Sequence, residues 1–195
     1  MYTPAFAESL KHLEEVLRFP SFDLEDAYAL GTRLREAGTR EPKPIAVRVV
    51  LDDLIVYQSF LPGTGKDNNW WMDKKYATVK RTHHSSLRAA AERELSGSQE
   101  DWQCDEEHYA FCGGGFPIVV NGEFRGAAIV SGLPHLDDHR CLTETIAAYL
   151  TDEPIGDPSK IVIPEEDEND PMACIHDCSR CMAACATRTE QEPAQ

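Results

Sequence analysis

The sequence predicts an α+β fold, an α-β-α sandwich in which helices cover both faces of a central, mainly antiparallel sheet. Three observations carry this prediction. Two β-branched, apolar stretches are each broken by a two-residue turn signal, Asp52-Asp53 and Asn121-Gly122. The segments around them repeat their apolar residues at helical spacing. Their order along the chain is helices, hairpin, helices, hairpin, helix, which segregates the strands into antiparallel pairs.

Phe6, Leu10, Leu13, Val16 and Leu17 recur at helical spacing, and Leu24, Tyr28, Leu30 and Leu34 do so behind Asp23, a residue suited to an N-cap. Gly38 follows the second helix. Pro44 opens the strand Ile45–Leu51, and Leu54–Leu61 follows across Asp52-Asp53 as a tight hairpin. Asp67 to Lys80 and Ser85 to Leu95 read as helices, with Ser85 or Ser86 capping the second. Phe116–Val120 and Phe124–Val130 flank Asn121-Gly122, whose tolerance of positive φ suits a type I′ turn. A last helix runs from about Asp137 to Leu150.

A chain of 195 residues with 42% hydrophobic content can bury one sizeable core. Residues 1–150 carry 16 basic against 23 acidic side chains, whereas residues 151–195 carry 3 against 11. That shift places a boundary near Thr151, dividing a domain at 1–150 from an acidic, cysteine-rich tail at 151–195. The net charge of −15 argues against nucleic acid or an anionic membrane as the main partner, since both reward a basic surface. No apolar run approaches the ~18 residues that span a bilayer. The first residues lack the basic and apolar regions of a signal peptide, so the expected compartment is the cytoplasm. Seven cysteines, an odd number, fit a reducing compartment better than a disulfide framework.

Three stretches concentrate glycine and proline beside polar or aromatic residues: Phe60–Trp71, Cys112–Pro117 and Ser131–His139. In this order, Leu61-Pro-Gly-Thr64, Asp67-Asn68, Trp71, Lys74, Arg81, His84-Ser-Ser86, Gly113-Gly114 with Phe116-Pro117, and Ser131-Gly-Leu-Pro134 with Asp138-His139 resemble the haem-degrading-domain superfamily (GlcG/HbpS-like), in its largely uncharacterised cytosolic branch. The resemblance covers roughly residues 5–150. It implies an α-β-α sandwich, assembly with copies of itself, and binding of a small ligand, haem in some relatives. Cys112 stands where many relatives carry His or a small residue, so no haem ligand is carried over to that position.

The candidate ligand-binding residues are Asn68, Trp71, Arg81, His84, Ser85, Gly113, Gly114, Phe116 and His139. Asn68 opens a helix whose first amides favour an anion, although a capping role explains it equally well. Trp70 and Trp71 point about 100° apart on a helix, so both cannot face the core, and one is expected against a ligand or a neighbouring subunit. Lys74, Lys75, Lys80, Arg81 and Arg88 make this the most basic part of the chain. They read as a solvated helix face or as a site for an acidic group, for which the forked guanidinium of Arg81 is best suited. Cys112 and the three glycines after it can converge backbone amides into a nest for an oxyanion or carboxylate, or can serve close packing. His84 and His139 are candidate proton carriers or core histidines. These residues are expected to line one pocket. No P-loop, Ser-His-Asp triad, carboxylate pair or dinucleotide fingerprint can be assembled, so no catalytic residue is assigned.

In the tail, Cys174, Cys178, Cys181 and Cys185 form a C-x3-C-x2-C-x3-C array that puts all four thiols on one face of a helix. Across about 16 Å of straight helix they cannot close around one tetrahedral zinc, so metal binding, Zn or Fe, needs a broken helix or two chains. Cysteines packed as a small helical face are the alternative. The first three also match the cluster spacing of radical-SAM enzymes, in the wrong place and without the barrel.

The expectation is therefore a cytoplasmic, homo-oligomeric protein that binds a small molecule, haem or a carboxylate metabolite. An enzyme acting on a small oxygenated metabolite and a scaffold using its acidic tail are the alternatives.

Overall fold

The computed structural model describes residues 1–97 and 100–151. The boundary near Thr151, the acidic run and the cysteine array of Cys174, Cys178, Cys181 and Cys185 lie outside or at the margin of the described residues. Helices α1 (Pro4–Val16) and α2 (Leu24–Gly38) precede strands β1 (Ala46–Leu51) and β2 (Leu54–Phe60). Helices α3 (Lys66–Thr82) and α4 (Ser86–Ser96) and a short 3-10 turn (Asp101–Cys104) lead to β3 (Gly115–Val120), β4 (Glu123–Ser131) and α5 (His135–Thr151).

The four strands form one antiparallel sheet in the order β2-β1-β4-β3. Both turns are built as their residues dictate. Asp52 and Asp53 have φ of 48° and 64°, and Asn121 and Gly122 have 51° and 84°, the two successive positive values of a type I′ turn. Asp23 caps α2 with its carboxylate on the amides of Glu25 and Asp26, and Asp26 returns the bond to the Asp23 amide.

Alternation along β1 distributes the core. Val47, Val49 and Leu51 face α2 and share one core cluster with Leu30 and Leu34 of α2 and with Leu142 and Ile146 of α5. Ala46 and Val50 face the other way, joining Met72 and Val79 of α3. A smaller cluster of Phe6, Leu10, Leu87 and Ala91 joins α1 to α4. The result is the expected α-β-α sandwich. It fixes α3 and α5 at opposite faces of the sheet, meeting around the ends of β3 and β4.

Candidate functional site

The apolar stripe of α3 runs Asn68, Met72, Lys75, Val79, and Lys75 is the residue out of place in it. Its ammonium is fully buried, donating to Asp138 Oδ2 at 2.7 Å and to the Val130 carbonyl at 2.9 Å. The other oxygen of Asp138 accepts the Leu133 amide at 3.0 Å. Burial pushes the Asp138 carboxyl up to about 6, with Lys75 and the backbone amides of Leu133 and Gly132 opposing the rise. A solvated face is thus corrected for Lys74 and Lys75, both of which are buried. Lys80 and Arg81 remain at the surface.

The glycines beside this pair are there for space. Gly114 has φ of 108°, and a Cβ on it would lie 2.5 Å from the Lys75 ammonium and from the Val130 carbonyl. A Cβ on Gly113 would collide with the His135 carbonyl. The expected anion nest is corrected as well. The Gly113 amide donates to His135 Nδ1 at 3.3 Å and the Gly115 amide to Ser86 Oγ at 2.9 Å, so two of the three donors are spent inside the protein. An enzyme relying on that nest as its oxyanion hole loses those two donors.

His139 is completely buried, and among the described residues neither ring nitrogen has a hydrogen-bond partner. Its ring lies 6.0 Å from that of Phe116. Burial drives its pKa down to about 3, helped by His135 and Lys75. His135 is lowered to about 4, again mainly by burial and next by Lys75. Both are therefore neutral at pH 7. A proton carrier needs access to its partner, and His139 has none here.

The remaining candidates do not join this cluster in one pocket. Asn68 uses both ends of its amide internally, accepting from Gly65 at 2.9 Å and donating to the Ser131 carbonyl at 3.1 Å. Ser85 caps α4 through the Arg88 amide and donates its own amide to Glu14 at 2.7 Å. Trp71 packs edge-on against Trp70, with the Lys74 ammonium 3.9 Å from the Trp70 ring centre and 4.7 Å from that of Trp71. The aromatic surface assigned to a ligand or neighbour thus already has a cation from its own helix. Asn68 and Arg81 sit 13 residues apart on α3, about 20 Å along its axis, so a single pocket cannot take both ends.

Arg81 and His84 belong to a surface cavity of about 560 Å³ between the end of α3, α4 and the 3-10 turn. Arg93 and Trp102 complete its chemistry. The Arg81 guanidinium lies 4.6 Å from the Trp102 ring centre, and no carboxylate pairs with it among the described residues. His84 Nδ1 is 3.0 Å from Glu92 Oε2, which orients the ring and presents Nε2 as its second nitrogen. The two carboxylates lining the cavity are committed: Glu92 also binds Arg88, and Glu100 accepts the Trp102 indole N–H at 2.9 Å. A second cavity of about 520 Å³ is lined by Trp70, Lys74, Asp105 and Tyr109.

Sequence reasoning placed Lys75 only within a basic run and did not single out His135, Arg93 or Trp102. Lysine in an apolar helical stripe was the available sign of a buried ion pair. Trp102 sits in an irregular stretch with no periodicity to read.

This scaffold and its motifs define a class. The chain matches the family described as haem degrading protein HbpS-like over residues 22–147, and it belongs to that family. Among particular relatives, a UPF0303 protein of Brucella anthropi is 37% identical over 146 residues, covering 73% of this chain and 86% of that protein. The solved Ybr137w protein superposes with a TM-score of 0.67 at 26% identity, over 75% of this chain and 88% of its own. A structure described as a PduOC:heme complex shares the fold, with a TM-score of 0.58 at 16% identity over 66% of this chain and 94% of that one. Among the described residues, no helix is long and apolar enough to cross a membrane, and no group of three or more His, Cys, Asp or Glu is placed to hold a metal ion.

Proposed function

We propose that this protein binds a small carboxylate-bearing ligand, haem or a carboxylate metabolite, in the cavity of Arg81, His84, Arg93 and Trp102, and that it works in the cytoplasm as an assembly of its own copies. The observation that carries the reading is the donor set of that cavity. An exposed guanidinium backed by the Trp102 ring and with no carboxylate partner among the described residues, and an imidazole already oriented through Nδ1, converge on a volume of ordinary ligand size. Membership of the haem-degrading family makes haem the first ligand to test.

These residues suit a haem. His84 Nε2 is the nitrogen that would approach iron, Arg81 and Arg93 would meet the propionates, and Trp102 would hold the Arg81 guanidinium at the cavity wall. Iron bound there would supply redox and oxygen chemistry. The chain's own part is to hold the imidazole tautomer through Glu92 and to keep cationic groups at the cavity wall.

Haem titration followed by its visible absorption tests the reading. Wild type should give a saturable, shifted band, His84→Ala should change the band's position, and Arg81→Ala should weaken affinity by roughly tenfold, the scale of one charge-assisted contact. A silent titration together with a thermal shift on adding small carboxylates would move the assignment to a metabolite. Unchanged binding in both variants would remove the cavity.

A further inference from the structure

We infer that the outer edge of β2, with the adjoining stripe of α2, is the surface on which a second copy of this chain docks antiparallel across a two-fold axis. This deepens the self-association part of the reading above and rests on it.

The two edges of the sheet are treated differently. Edge β3 carries Pro117 in its middle, and its outer end is occupied by Phe19, whose amide donates to the Val119 carbonyl at 3.0 Å. These are ordinary devices against edge pairing. Edge β2, Leu54-Ile-Val-Tyr-Gln-Ser-Phe60, has neither device: it contains no proline and no charged residue, and no segment among the described residues pairs with its outer side. Leu54, Ile55 and Phe60 are 57%, 50% and 39% exposed there. A bare, uncharged, apolar edge of seven residues is the pattern that recruits another strand.

Helix α2 extends the patch. Gly31 lies against Tyr57, Arg35 donates to Ser59 Oγ at 3.0 Å, and Gly38 approaches Leu61, so α2 runs parallel to β2. Leu24, Tyr28 and Arg35 fall within about 40° of one another on the helix, forming a stripe beside the open edge. Leu24 and Tyr28 are 53% and 59% exposed, and the Tyr28 ring packs edge-on against Tyr57.

A second copy fits the run of both elements. In a two-fold pair the strands run antiparallel and so do the two α2 helices, so each copy offers the other the same open edge and the same Leu24–Tyr28 stripe. Charge along α2 sets no direction, since Glu25 in the first turn is matched by Glu36 beside Arg35 in the last, and Asp26 is spent on the Asp23 amide and the Tyr149 hydroxyl. The extent is adequate. Both elements are about 22 Å long, and with the strand and helix layers side by side the face covers roughly 1,000 Å² over both partners, the threshold of a specific interface.

The test is native mass spectrometry and sedimentation of the full chain at micromolar concentration, for wild type, Ile55→Lys and Tyr28→Lys. The expected result is a wild-type assembly with an even number of copies, and a dimer contact weakened by roughly tenfold or more in each variant, since each lysine then carries an unpaired charge into an apolar contact. Circular dichroism should show both variants folded, because both side chains are exposed. If Ile55→Lys misfolds, Tyr28→Lys, on the helix, still decides the matter. Hydrogen exchange at β2 should slow as protein concentration rises. Folded variants that keep the wild-type mass would overturn the inference and leave self-association standing. A monomeric wild type would overturn both. Concentration-independent protection of β2 would assign the edge to the chain's own residues 152–195 instead.

Discussion

Replacing Asp138 by asparagine isolates the charge in the interior pair. The amide can still accept from the Leu133 N–H, so shape and backbone satisfaction are retained, while the Lys75 ammonium loses the Asp138 charge and keeps the Val130 carbonyl. Breaking a buried pair from one side costs about 3–5 kcal/mol, a large share of the roughly 5–15 kcal/mol by which a domain is stable. At about 2–4 °C per kcal/mol for a domain of this size, the melting temperature should fall by about 10 °C. The double variant Lys75→Met/Asp138→Asn removes both charges and should recover most of the loss, giving a coupling of at least ~2 kcal/mol in a double-mutant cycle. Urea unfolding at pH 7 measures all four corners. A loss below about 1 kcal/mol for Asp138→Asn with no coupling would refute the claim that this pair is a charged, structure-bearing contact.

Three further outcomes follow from the same interior. Gly114→Ala needs a φ that L-residues rarely adopt and puts a methyl 2.5 Å from Lys75 and Val130, so it should cost about 3–4 kcal/mol or abolish soluble expression; thermal melts of purified protein decide. His139→Leu removes two buried nitrogens without partners, so at pH 7 stability should be unchanged or raised by about 1–2 kcal/mol, and a loss above about 3 kcal/mol in urea would count against the burial argument. Stability should also fall on acidification. The folded pKa values of His135 and His139, about 4 and 3, lie below 6.5, so their contribution is complete above pH 6.5 and is lost as the pH drops. Asp138 and the Lys75 ammonium titrate as a pair, so the rise of the carboxyl adds no independent proton. Between pH 6 and 4 the two histidines lower stability, a fall that urea titrations at pH 6 and 5 can measure.

The hairpins could be read from the sequence because their turns are local. Asp52-Asp53 and Asn121-Gly122 each declare a positive-φ pair to anyone who knows what those residues tolerate. Helix phase was readable for the same reason, since Leu30 and Leu34 report their own burial by spacing. The site was less legible because its determinants are long-range. Lys75 finds Asp138 across 63 residues, and beside Lys74 and Lys80 it looks like one more solvated cation. The glycines were recognised as special, yet whether a bare amide faces a ligand or a histidine depends on where α5 passes. For Gly113 it passes within hydrogen-bonding distance.

Helix α3 links the two halves of the candidate site, and this decides how variants should be interpreted. Its middle is held to α5 by Lys75 and Asp138, its start to β4 by Asn68, and its end displays Arg81 over Trp102. The motif residues Asn68, Gly113, Gly114 and Asp138 therefore position a helix, whereas Arg81 and His84 face the cavity. A substitution among the first group reaches the ligand only by shifting or loosening α3. It should lower thermal stability in proportion to any loss of binding, and a saturating ligand should restore part of it by mass action. A substitution at Arg81 should leave the melting temperature of the free protein near wild type while affinity falls. That difference separates residues that build the cavity from residues that use it. Were Arg81→Ala to destabilise the free protein as much as Asp138→Asn does, Arg81 would belong to the scaffold and the cavity would lose its main anion contact.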